Sequence, residues 1–127
     1  MFRKIAVLLL VSLLVCGFSS AILQLTGMDS GKTIKIRLGT VINISLEGNP
    51  TTGYIWETAS RTAPVLTQVN PPAFKPGSKL IGAGGIITFQ FRADKKGNIK
   101  LTIVYHRPWE KNKAPIKTFQ LNITVID

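Results

Sequence analysis

The sequence predicts an all-β protein, an immunoglobulin-like β-sandwich of about seven strands. Three features predict it. Apolar and polar residues alternate in segment after segment beyond Ala21, turn-forming residues separate those segments, and no stretch beyond Ala21 carries a helical period. Alternation with a period of two sets one face of a strand on a core and the other in water. About seven such strands in roughly 100 residues is the pattern of that sandwich.

The first element is a leader. Arg3 and Lys4 give a positive start, an apolar run interrupted only by Ser12 follows from residue 5 to residue 16, and the small residues Ser19 and Ala21 close it. This is the pattern of a secretory signal peptide over residues 1–21, cleaved after Ala21. The run is shorter than the roughly 20 residues a bilayer span needs. An uncleaved anchor and a lipoprotein signal ending at Cys16 are the alternatives; the second wants a small residue where Val15 stands. Cleavage leaves a domain of residues 22–127 without a cysteine, hence without a disulfide or thiolate, held together by burial alone.

Five segments of that domain alternate clearly. Their apolar members are Ile34, Ile36 and Leu38; Ile42, Ile44 and Leu46; Ile87, Phe89 and Phe91; Ile99, Leu101, Ile103 and Tyr105; and Phe119, Leu121, Ile123 and Val125. Residues 54–58 and 65–69 are weaker strands that complete the set. Gly39, Gly48-Asn49-Pro50, Asn70-Pro71-Pro72, Pro76-Gly77, Gly82 to Gly85, Lys96-Gly97-Asn98, and Arg107-Pro108 through to Pro115 mark the turns. The stretch from residue 70 to residue 81 reads as irregular. Two glycosylation sequons, at Asn43 and Asn122, fall on strands with the asparagine on the polar face.

Composition limits the function. The formal charge is +10, and +8 without Arg3 and Lys4. The lysines are dispersed, which reads as a solubilising surface or as steering toward an acidic protein, and export argues against nucleic acid as a partner. His106 is the single histidine, and the six acidic residues form no close pair. No zinc or calcium ligand spacing occurs. The glycines at 82–85 lack the lysine and helix of a phosphate loop. Catalysis has almost no residues to use, and no cofactor or metal is expected.

Binding is better served, because the unusual residues sit in the connections. Asn49, Pro50, Thr51, Thr52, Gly53 and Tyr54 make a short loop stiffened by proline and tipped with hydroxyls; as turn chemistry alone it is also an ordinary turn. Gly82, Ala83, Gly84 and Gly85 offer little side-chain bulk, so another protein's backbone can approach closely; a flexible connection is the plain alternative. Arg107, Pro108 and Trp109 place a tryptophan in a charged turn. Trp and Arg are enriched at interface hot spots, although Trp109 folded back on the core edge satisfies the pattern too.

Together the three segments, NPTTGY at 49–54, GAGG at 82–85 and RPW at 107–109, resemble the chagasin-like inhibitors of cysteine peptidases, in order and at matching spacing. The resemblance implies an immunoglobulin-like fold with the three loops side by side at one end. It further implies that residues 49–54 enter the cleft of a papain-like cysteine peptidase while 82–85 and 107–109 flank it. The expected protein is an exported, monomeric inhibitor in a periplasmic, extracellular or vesicular space, with no stable membrane association after cleavage and no catalysis of its own. A secreted adhesion or ligand-binding module of the same fold is the alternative. A hydrolase using His106 is a remote third.

Overall fold

In the computed structural model, residues 21–127 are described. The expected signal peptide lies outside them except for Ala21, as does Cys16. Among the described residues eight strands form: β1 (Ile22–Thr26), β2 (Thr33–Arg37), β3 (Val41–Gly48), β4 (Ile55–Thr58), β5 (Leu66–Pro76), β6 (Gly85–Ala93), β7 (Gly97–His106) and β8 (Lys117–Ile126). They build two four-stranded sheets, in the orders β1-β3-β6-β5 and β2-β8-β7-β4. β1 runs parallel to β3 and β2 parallel to β8; the remaining pairs are antiparallel.

The alternation read from the sequence becomes the core. Ile42, Ile44 and Leu46 of β3 stand opposite Phe91, Phe89 and Ile87 of β6. In the other sheet Leu101 and Ile103 of β7 pair with Leu121 and Phe119 of β8. All of these are buried, as are Ile123, Val125, Leu66 and Trp56. Each large apolar side chain taken from water contributes roughly 1.5–3 kcal/mol before the entropy cost of ordering it, so the sandwich closes without a cross-link.

Three details differ from the expectation of about seven strands. β1, with the sequence ILQLT, is an eighth strand. It is short and pairs only with β3, a long-range partnership that its own residues do not announce. β5 continues through Pro71 and Pro72 to Pro76, where an irregular stretch was expected. Proline cannot donate to a ladder, but β5 is an edge strand, and its pairing with β6 shifts register between Gln68 and Asn70 and again before Ala73. Leu38 is not the last core residue of its strand: β2 ends at Arg37, and Leu38 is exposed at the turn with Gly39. At the sequons, Asn43 is partly buried and accepts a hydrogen bond from Gln90, whereas Asn122 is exposed.

Strand register positions the loops. Gly48 pairs with Gly85 where β3 meets β6, so the β3–β4 and β5–β6 connections leave the sandwich side by side. Ile55 pairs with His106 where β4 meets β7, which sets the β7–β8 connection on the other side of the β3–β4 loop.

Candidate functional site

The central loop is built on Asn49. Its extended backbone starts a single 3₁₀ turn, Pro50–Thr52, with proline at the first position, and Gly53 ends it at φ 87°. The Asn49 side-chain oxygen accepts from the Thr51 amide at 3.1 Å and from the Thr51 hydroxyl at 2.6 Å. The Thr52 hydroxyl donates to the Asn49 carbonyl at 2.7 Å. Both threonine protons are therefore committed inside the turn, and toward a partner these hydroxyls are left as acceptors on a fixed, exposed tip. Below, the Asn49 amide donates to the Tyr105 hydroxyl at 2.9 Å. Tyr105 in turn lies between Tyr54, at 5.4 Å between ring centroids, and Trp56, at 4.9 Å. The loop thus stands on an aromatic column that reaches into the core.

On one flank, residues 77–84 form a closed excursion. The Gly77 amide donates to the Gly84 carbonyl at 2.9 Å, and the Ala83 amide to the Leu80 carbonyl at 3.2 Å. Gly82 adopts φ 80°, a conformation that favours glycine. Gly85 is the first residue of β6, and a Cβ there would lie 2.1 Å from the Lys75 carbonyl oxygen, so its lack of a side chain serves the β5–β6 contact. Gly84 is exposed, with the Gly48 carbonyl 3.3 Å from where its Cβ would be. At the tip, Leu80 is 78% and Ile81 105% exposed. Sequence reasoning passed over this pair. The signal was available: two adjacent large apolar residues, out of register with any strand, before a glycine run.

On the other flank, Arg107 and Trp109 lean on the central loop. The Arg107 guanidinium carbon sits 4.4 Å from the centroid of the Tyr54 ring, and its Nε donates to the Thr52 carbonyl at 3.2 Å. Trp109 is 66% exposed and is not folded back on the core. Its ring rests against Gly53, where a Cβ would come within 2.4 Å of the indole. Exposed Pro108 separates the two. Glu110 binds back to Arg107 at 3.9 Å and to Lys113 at 3.1 Å.

The three predicted segments thus meet in one row, with 49–54 in the middle. They carry no reactive group. His106 contacts Glu57 at 3.2 Å on the neighbouring strand. The carboxylates whose acidity the fold alters are Asp29, held below the usual range by its bond from Lys32 and then by the Thr26 amide, and Asp94, held down by Arg92 and then by the Thr67 hydroxyl. Neither belongs to the loops. Among the described residues no group of three or more His, Cys, Asp or Glu could hold a metal ion, and no helix is long and apolar enough to cross a membrane.

A sandwich that gathers three interlocked loops at one end, with large apolar side chains exposed beside them, has the features of a class: proteins that act by binding another protein's surface. Comparison with known proteins gives the family. The model described as "Chagasin family peptidase inhibitor I42" matches residues 35–123. Chagasin of Trypanosoma cruzi is 33% identical over 90 residues, which cover 68% of this chain and 82% of that protein. Amoebiasin-1 of Entamoeba histolytica is 33% identical over 108 residues, or 81% of this chain and 99% of that one. The crystal structure of the cysteine protease inhibitor EhICP2 from Entamoeba histolytica superposes with a TM-score of 0.73 at 26% identity, covering 84% of this chain and 97% of that one. The chain belongs to the chagasin family of cysteine peptidase inhibitors, a family of inhibitors and not of enzymes.

Proposed function

We propose that this chain is exported, that residues 22–127 act as a monomer, and that they inhibit papain-like cysteine peptidases reversibly by filling the active-site cleft with the three loops. Residues 49–54 form the narrow central tip that enters the cleft. Residues 82–85, with Leu80 and Ile81 beside them, cover one wall, and Arg107, Pro108 and Trp109 cover the other.

The observation that carries this reading is the row itself. Loops from three separate connections are hydrogen-bonded and packed to one another with the hydroxyl tip in the middle and large apolar side chains exposed at either side. Monomeric surfaces seldom leave such groups together in water without a partner. Loops held in place beforehand lose little freedom on docking, which favours tight binding. With no thiolate, and with no reactive group in the loops, inhibition proceeds by occlusion. Export is supported by the basic, apolar and small-residue order of the first 21 residues.

The test is titration of purified residues 22–127 against active papain, with mass spectrometry of both proteins afterwards. Competitive, reversible inhibition with the inhibitor intact is expected. A covalent adduct, cleavage within residues 49–54, or no inhibition of papain or a related peptidase overturns the mechanism.

A further inference from the structure

We infer that Asn49 is a positioning residue, whose side-chain amide couples the central loop to the β5–β6 loop and sets their relative placement before a peptidase arrives. This rests on the reading of these loops as the inhibitory surface. The two ends of the amide act on different loops. Oδ1 accepts from the Thr51 amide and hydroxyl and closes the central turn. Nδ2 donates across to the Gly82 carbonyl at 2.9 Å. Among the described residues no other hydrogen bond joins residues 49–54 to residues 77–84.

The surroundings show why that one bond matters. Residues 77–82 are exposed throughout, and the tip residue Ile81 touches water on every side. The loop's own hydrogen bonds close it on itself but do not orient it against its neighbour. Asn49, in contrast, is fixed from below by Tyr105. The Gly84 backbone approaches it so closely that a Cβ on Gly84 would lie 3.7 Å from the Asn49 Cβ. A residue whose backbone is anchored to the core therefore uses its side chain to hold the exposed part of the neighbouring loop at a set distance. Few residues can do both jobs. Aspartate keeps the acceptor and loses the donor, and it faces a carbonyl oxygen with a negative charge. Serine keeps the capping oxygen but has no group that reaches Gly82.

Asn49→Ser, Asn49→Asp and Asn49→Ala, made in residues 22–127, separate the roles. Three quantities are measured for each: inhibition of papain, the thermal melt, and backbone amide order of the free protein by ¹⁵N relaxation. For the serine and aspartate variants, residues 80–84 are expected to lose order while 51–53 keep it. The melt should fall by about 4–8 °C, the stability equivalent of one hydrogen bond in a domain of this size, and inhibition should weaken by about five- to tenfold. The alanine variant loses the cap as well and melts lower. Parent-like order at residues 80–84 with weakened inhibition makes Asn49 a contact residue and overturns the proposal. Equal melting losses in all three variants, with order lost throughout, make it a fold residue and overturn it too. Should the parent not inhibit papain, the inhibitory reading falls, and the relaxation data still decide whether Asn49 positions the loop.

Discussion

Trp109 and Arg107 are neighbours in sequence but differ in what surrounds them. Trp109 has most of its ring in water and rests on Gly53, so little of the fold depends on it. Replacing it with alanine should weaken inhibition by about 1–3 kcal/mol, as for interface anchors, and leave the melt almost unmoved. An unfolded variant would return Trp109 to a structural role. Arg107 is occupied inside the inhibitor, on Tyr54 and on the Thr52 carbonyl. Arg107→Lys keeps the charge but not the planar stacking or the directed Nε bond. It should therefore lose most of what Arg107→Ala loses, measured as inhibition constants side by side. A lysine variant equal to the parent would show that charge alone matters.

At the scale of strands and loops, glycines that look alike in sequence divide by position. Gly85 lies in the β5–β6 ladder with no room for a methyl group, so Gly85→Ala should lower the melting temperature by several degrees. Gly84→Val sits at the exposed edge and should act mainly on inhibition. A melt of both variants beside their inhibition constants checks the division, and it fails if Gly84→Val is the less stable of the two. Phe89→Ala, fully buried in β6, sets the upper end of the stability scale, at about 3–5 kcal/mol by denaturant titration. The strongly alternating strands were legible because each carries its own period and needs no partner to reveal it. β1 was not, since its alternation, Leu23 and Leu25 against Gln24 and Thr26, is too short to stand out beside an apolar leader. The second half of β5 was hidden by prolines that only an edge position permits. The loop motifs could be read from residue identity alone, but their interlocking could not. Nothing local to Asn49 says that its amide will meet Gly82, and nothing local to Gly53 says that an indole will lie on it.

For the molecule as a whole, stability comes from burial, and the altered acid groups, both at the surface, add only a small contribution that depends on pH. Asp29 and Asp94 titrate below their ordinary value of 3.8 in the folded state. Their contribution is therefore fully present above that value and is lost as pH falls through the lower folded values. The melting temperature of residues 22–127 should stay nearly level from about pH 8 to pH 5 and decline only below about pH 4. A decline beginning near pH 6 would mean that another group controls the fold. Neither carboxylate touches the three loops, so the protonation of Asp29 and Asp94 acts on the fold and not directly on those loops.

The parallel pairing of β1 with β3 fixes the direction in which the described chain enters the sandwich. Ile22 lies beside Val41, at the end of β3 remote from Gly48, and the Val41 amide binds the Ala21 carbonyl there. β8 also runs away from the loops, and it ends with Ile126 beside Arg37. Both ends of the folded unit are thus gathered at the pole opposite the three loops. A tether, a tag or another domain joined at either end would trail away from the three loops and leave them clear. Residues 22–127 immobilised through an N-terminal biotin on a flexible linker should capture papain with the same dissociation constant as the free domain, measured by surface plasmon resonance. A tenfold loss on immobilisation would show that this pole also takes part in binding.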